Sequence, residues 1–492
     1  MMRKNSALKA ITLLLLFAIT AALVTSCSNN TDTPSDVTTQ SIESGETTAE
    51  TEATTVDPLS LIPEVDYEGY EMRFFTLDQG INATTRFTDE IYVESETGEI
   101  INDAVFKRNQ LIEEKLNIKI KAIPTAGIQQ KARSTIMAGD NAFDIVGAYK
   151  YETISLASER LIRNWYDIPV LDFDQPWWNQ NARDSFTLAD TLYLMSGSIL
   201  ISEIDDTLAM TYNKSMAEEY GFEDIYALVR NQKWTIDKFA EMVVKISGDL
   251  NGDGEIKKGD DLFGYIQDPN SMTNNWCFAA DILKGSLTES GEYIIEVNAD
   301  RIQTMLEKLA TVFSGDCALS DLDLYEGLNY FEENKIFMYA IILRNIELLR
   351  EMEFDFGIIP YPKFDENQPD YLTHVGGASP ILAIPITNTE NDERLGTILE
   401  SMATASLSLV RPAYYETALK EKYSRDPEST EMLDIIVKSS TYDLGYYGGF
   451  GITGTIASQI KSATANFTSA WEKAESASAI NAQKLVDKLL AE

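Results

Sequence analysis

The sequence predicts an α/β protein of two lobes joined by more than one crossing segment, with a cleft between them. Three observations point there. From "YEMRFFTL" onward, short apolar strands alternate with helical stretches, the order that builds βαβ units and a mainly parallel sheet. Strand character is left for a helix-rich stretch from about 214 to 330 and re-entered after it. The chain beyond residue 58 is also too long for one ordinary core.

The elements follow in order. "MMRKNSALKA" supplies positive charge, and "ITLLLLFAITAALV" is an apolar run shorter than the roughly 20 residues of a membrane helix. Residues 1–26 therefore read as a secretion signal. "VTSC" is similar to the lipobox of bacterial lipoproteins, in which the small residues Thr25 and Ser26 precede a lipidated Cys27. The mature chain is expected at the cell surface, held to the outer face of the cytoplasmic membrane by that lipid alone. The stretch from Cys27 to 58 is almost all Ser, Thr, Glu, Asp and Ala, a disordered tether reaching on the order of 30 Å.

Beyond it, "YEMRFFTL", "NIKIKAI" and "AFDIVGAY" read as strands, and "AVFKRNQLIEEKL" and "IQQKARSTIMAG" as helices. "TLYLMSGSILI" and "DDTLAMTYN" are strand-like. "WTIDKFAEMVVKISG" is a helix capped by Thr235, with Ile236, Phe239, Val243 and Ile246 on one face. "KIFMYAI", "FDFGIIP" and "ASPILAIPI" return to strands, and the end from about 390 to 490 is helical.

"DLNGDGEIKKGDD" spaces oxygen donors for a hard cation, with Asp249, Asn251, Asp253 and Glu255 at alternate positions, Gly254 sixth and Asp260 twelfth. Glu255 would act through its carbonyl, and Asp261 is an alternative to Asp260. A calcium sensor would continue into an amphipathic helix, but "DLFGYIQDPN" reads as a short strand and turn. Structural calcium is the expectation, and a metal-free acidic turn the alternative.

A net charge of −38 argues against nucleic acid or anionic lipid as a partner. Cys277 and Cys317 are expected as two separate buried thiols. Pairing them would close a loop of about 40 residues.

Taken in order, several motifs carry a family resemblance: "YEGYEMRFF", "TGEIINDAVFKRNQLIEEKLNIKI", "FDIVGAY", "PWWN", "LAMTYNKSMAEEYG", "KWTIDKF", "DLNGDGEI", "NYFEENKIFMYAIILRNIELLREME" and "DFGIIPYPKFDENQPDY". From about 65 to 490 the chain resembles the extracellular solute-binding lipoproteins of bacterial ABC importers, in particular the family 1, carbohydrate-binding group. The resemblance implies a periplasmic-binding-protein-like fold of type II that closes on a carbohydrate and hands it to a membrane permease, as a monomer and without enzymatic activity. It implies lobe one from 59–207 plus 336–388 and lobe two from 213–333 plus 390–492, with hinges near "TLAMTYN" and "IFMYAII". It also implies calcium as a structural staple of lobe two.

Sugars offer C–H faces to aromatic rings and hydroxyls to paired polar groups. The ligand candidates are Tyr149 and Tyr151 after the strand "FDIVGA", Trp178 of "PWWN", Trp276 of "TNNWCF", Asp205 before the first crossing strand, Arg344 after "IFMYAII", and Tyr446 in "YDLGYYGGFG". Packing is the competing role for each ring, a turn or cap for Asp205, and a surface ion pair for Arg344.

Catalytic signals are weak. "GFGITG" matches GxGxxG but follows no apolar strand, and no GxSxG or Walker loop occurs. The single His374 rules out a multi-histidine zinc centre. Two alternatives stay open: a binding protein for a non-sugar solute such as a peptide, and a surface glycosidase using two of the many carboxylates.

Overall fold

Alternating and fully apolar segments form strands in the order β1 (Tyr70–Leu77), β2 (Ile118–Thr125), β3 (Ile145–Tyr149), β4 (Leu208–Asn213), β5 (Phe263–Ile266), β6 (Lys284–Leu287), β7 (Tyr293–Glu296), β8 (Ala318–Leu319), β9 (Ile336–Ile342), β10 (Phe356–Ile359), β11 (Thr373–His374), β12 (Pro380–Ala383) and β13 (Ser440–Thr441). The structure is a computed structural model and describes residues 57–78, 87–268, 271–320, 322–350, 352–423 and 426–491. Cys27, the signal segment and the tether to residue 56 lie outside the described residues.

Two sheets organise the fold. The first has the order β12-β3-β1-β2, with β1 parallel to β2 and β3 and with β12 antiparallel to β3. The second has the order β10-β4-β9-β5-β8, with β5 parallel to β8 and β9 and with β4 antiparallel to β9 and β10. In each sheet the strand that arrives from the other lobe, β12 or β4, runs against its neighbours.

Local chemistry sets the flanking helices. Helix Ile100–Leu116 starts where the Glu99 carboxylate accepts from the Ile101 and Asn102 amides at 3.0 and 2.8 Å, and it stops at Asn117 in the left-handed region. Its Ile112 and Leu116 enter the first core, while Ile101, Ala104 and Val105 pack with the second lobe. Helix Ile236–Ile246 has the Thr235 cap and the apolar face expected from its sequence. On β4, Leu208, Met210 and Tyr212 face one core and Ala209 another, so the second sheet is covered on both faces. The C-terminal helix Phe467–Leu490 begins on a core of the second lobe through Phe467 and Trp471. It ends in the first core through Ala482, Val486 and Leu489.

The lobes are drawn differently from the sequence reading. β9 and β10 pair with β4 and β5, so 336–359 belongs to the second sheet and not to lobe one. Helix Asp392–Ala405, expected in lobe two, places Leu395, Ile398, Leu399 and Met402 in the first core. The chain crosses at Asp206–Thr207 and returns at Val375–Gly376, not at "IFMYAII". There Thr207 bridges Val375, and the Gly376 amide donates to the Asp206 carbonyl at 2.8 Å. "TLYLMSGSILI" forms isolated bridges rather than a strand, as at Met195 with Leu382. Cys277 and Cys317 are both free, and Cys277 is buried. Among the described residues no helix is long and apolar enough to cross a membrane.

Candidate ligand site at the lobe crossing

The first sheet ends its β3 strand at Tyr149, and helix Lys150–Ser158 follows directly, so the residues around 150 are presented at the carboxyl edge of the sheet. The half-buried Tyr149 ring stacks on Tyr151 at 5.8 Å between centroids and 19° between planes. Tyr151 is 54% exposed, an uncovered aromatic face.

Asp206 sits at the crossing, buried, with one carboxylate oxygen accepting from the Arg344 guanidinium. Arg344 is placed where β9 gives way to the 3-10 helix Leu343–Leu349. The other oxygen of Asp206, Oδ2, is buried without a hydrogen-bond partner. A Cβ at Gly376 would lie 2.8 Å from that oxygen, so the returning segment needs glycine there. From the C-terminal segment, the Tyr446 ring lies 5.3 Å from both Phe278 and His374, and its hydroxyl accepts from the Asn274 amide at 3.4 Å.

The Asp206 carboxylate is felt by tyrosines on both sides of the crossing. Burial first, then the Glu152 and Asp206 carboxylates, push the Tyr149 phenol up. Burial, with Cys277, Asp268 and Asp206 adding, does the same at Tyr446. Both phenols are therefore neutral donors. Lys150, fully buried, donates from Nζ to the Gly376 and Ser379 carbonyls at 3.0 and 3.3 Å and to the Ser379 hydroxyl, binding the first lobe to the returning segment. Burial pulls its ammonium down to about 8, against the pull of Asp206 and Glu203.

The arrangement offers aromatic faces, a buried carboxylate acceptor and guanidinium donors, a set suited to a polyhydroxylated ligand. Four of the expected residues converge here: Tyr149, Tyr151, Arg344 and Tyr446. Three do not. Trp178 is buried, donates from Nε1 to Glu400 at 2.9 Å and packs edge-on against Trp165. Trp276 is buried among Phe239, Tyr265 and Tyr361 and donates to Gln267 at 3.0 Å. Both are core residues because each indole finds its acceptor inside one lobe. Asp205 is buried, and the residue that pairs with Arg344 is its neighbour Asp206. Sequence reasoning missed Lys150, although its place between two tyrosines directly after a strand was a signal.

His374 ends β11. Its ring stacks on Phe278 at 4.6 Å, its Nδ1 faces Asn275 at 3.2 Å, and Nε2 is buried without a partner. Burial, joined by the Lys150 cation, pulls the imidazole down to about 3. The unfolded chain takes up this proton near pH 6.5 while the folded one does not. Stability is therefore lost as pH falls from about 6.5 toward 3, by on the order of 1.4 kcal/mol per unit. In urea titrations across that range, the advantage of wild type over His374→Gln is expected to shrink as pH falls. Parallel profiles would show that His374 is not held neutral.

The acidic loop turns its side chains on itself. Asp249 accepts from the Gly252 and Gly254 amides at 2.6 and 2.7 Å, Asn251 from Asp253 at 2.8 Å, and Asp253 from Glu255 at 2.9 Å. The Lys257 ammonium lies 3.1 Å from Asp253 and 2.7 Å from Glu255. Asp261, not Asp260, is the buried residue and ties the loop ends at Leu250 and Lys257. The donors are of the right kind for calcium. Among the described residues no group of three or more acidic, His or Cys side chains gathers as a metal cluster, and here the loop's side chains accept from its own amides and from Lys257.

The chain has the two-lobe α/β fold of extracellular solute-binding proteins. It is similar to the galacto-N-biose/lacto-N-biose I-binding protein of an ABC transporter from Bifidobacterium longum, solved with lacto-N-biose, at 12% identity and a TM-score of 0.56 over 85% of this chain and 98% of that one. It is similar to the cyclic alpha-maltosyl-1,6-maltose binding protein from Arthrobacter globiformis at 13% identity and 0.54, over 85% and 99%. A family 1 extracellular solute-binding protein from Bifidobacterium longum subsp. infantis matches at 14% and 0.51, over 82% and 99%. No family model matches the sequence, and neither does any curated protein.

Proposed function

We propose that this protein is the carbohydrate-binding subunit of an ABC importer, non-enzymatic and monomeric, held at the cell surface by a lipid on Cys27. The observation that carries the reading is the cluster of Tyr149, Tyr151, Tyr446 and the Asp206–Arg344 pair around the double crossing. The neighbours of this fold that bind lacto-N-biose and cyclic maltosyl-maltose support it. A saccharide touching groups on both lobes stabilises the closed arrangement by its differential affinity, and the closed form is what a permease receives.

The test is a thermal-shift screen of the purified protein against mono-, di- and oligosaccharides, peptides and amino acids. A ligand at 100 times its Kd should stabilise by about 2.7 kcal/mol. A saccharide that stabilises and is recovered uncut is the expected result. Stabilisation by peptides alone would overturn the substrate class, and cleavage would make the protein a glycosidase.

For the loop at 249–261 we propose a structural calcium ion held by Asp249, Asn251, Asp253, the Glu255 carbonyl and Asp260 or Asp261. The oxygen-donor spacing supports it. Binding must first draw Asp253 off Lys257. Chelator is expected to lower the melting temperature, and Asp253→Ala to erase that difference. An unchanged melting temperature on chelation removes the metal.

A further inference from the structure

Helix Lys150–Ser158 opens beside a row of rings that runs outward from the first core. Phe87, buried, meets the half-buried Tyr149 edge-on at 6.1 Å and 85°, and Tyr149 stacks in turn on Tyr151, the exposed end of the row. Glu152 follows at the third position of the helix. Its Oε2 accepts from the Tyr149 amide at 3.3 Å, which brings the carboxylate back over the start of the helix, on the side of the two tyrosines.

That bond is long, and among the described residues the Glu152 side chain makes no other; no Lys, Arg or His pairs with it. An ionised carboxylate has roughly four acceptor positions, so most of those on Glu152 are left for another donor. Glu152 is half-buried and keeps the access to solvent that the buried Asp206 lacks. Its charge is felt at both rings, where it adds to burial in pushing the Tyr149 and Tyr151 phenols up. An open aromatic face with an unpaired carboxylate beside it offers a sugar ring its two complementary contacts, one for C–H groups and one for hydroxyls.

We infer that Glu152 contacts the ligand and selects the sugar unit: its carboxylate accepts adjacent hydroxyls of a neutral sugar ring whose C–H face lies on Tyr151. With no cation beside it, the same carboxylate repels an acidic sugar, so neutral units are taken at this position and uronates refused. This role rests on the carbohydrate-binding function proposed above. The competing role, capping of the helix alone, is met equally well by Gln, whose side-chain carbonyl accepts from the same amide.

The experiment is calorimetric titration of the purified protein with maltose, cellobiose, lactose and digalacturonate. At least one neutral disaccharide is expected to bind, and digalacturonate is not. For the neutral disaccharide that binds tightest, Glu152→Gln should weaken binding by roughly tenfold, because a charge-assisted bond is replaced by a neutral one. The melting temperature of the sugar-free variant should match the parent's. Tyr151→Ala should weaken binding by a similar factor. An affinity within about twofold of the parent's in Glu152→Gln overturns the role, as does digalacturonate binding as tightly as the neutral sugars. Binding of none of the four would instead overturn the carbohydrate function, and the role of Glu152 with it.

Discussion

Arg344→Ala is expected to lower the unfolding free energy by about 3–5 kcal/mol, because it leaves the Asp206 carboxylate charged, buried and without its ion-pair partner. The side chains are 13% and 1% exposed, so solvent screening does little to soften the loss. Asp206→Asn in the Arg344→Ala background should recover much of the stability, since the charge is gone. If the proposed site is right, neither variant should bind saccharide with the parent affinity, since the Arg344–Asp206 pair is part of that site. Urea unfolding of the two variants and the parent checks this. A cost under about 1 kcal/mol would place the pair with ordinary surface contacts.

Trp276→Ala tests the opposite assignment. Its indole fills a closed space among Phe239, Tyr265 and Tyr361, so truncation should cost about 3–5 kcal/mol. The Gln267 carbonyl oxygen would still hold the Tyr265 hydroxyl at 3.0 Å, so the polar loss is small beside the cavity. Protein that remains folded should bind its saccharide with an unchanged Kd. A large loss of affinity with little loss of stability would return Trp276 to the ligand site.

Strands β1, β2 and β3 of the first sheet were legible because they alternate with helices in clear periods and lie close together in sequence. Tyr149 and Tyr151 were legible for the same reason, as residues at a strand's carboxyl end. The second sheet was not. "IFMYAII" is apolar at nearly every position because it is buried on both faces, and such a strand carries no mark of the sheet it joins. The true return point at Val375–Gly376 has a two-residue strand beside it, too short to register as a pattern. The aromatic choices failed for a different reason. Trp165, Trp178, Trp234 and Trp276 are all fully buried side chains, and a tryptophan's neighbours in sequence do not say whether its ring meets a sugar or another ring. Between Asp205 and Asp206, successive residues point different ways, and only the backbone settles which of them meets Arg344.

The helix Phe467–Leu490 makes the two lobes depend on each other. It contributes Phe467 and Trp471 to one core and Val486 and Leu489 to the other, so loosening either end uncovers apolar surface in both. The first core also takes Leu395, Ile398 and Met402 from helix Asp392–Ala405. A fragment cut at the Asp206–Thr207 crossing would therefore lack part of its own core, and neither half is a separable folding piece.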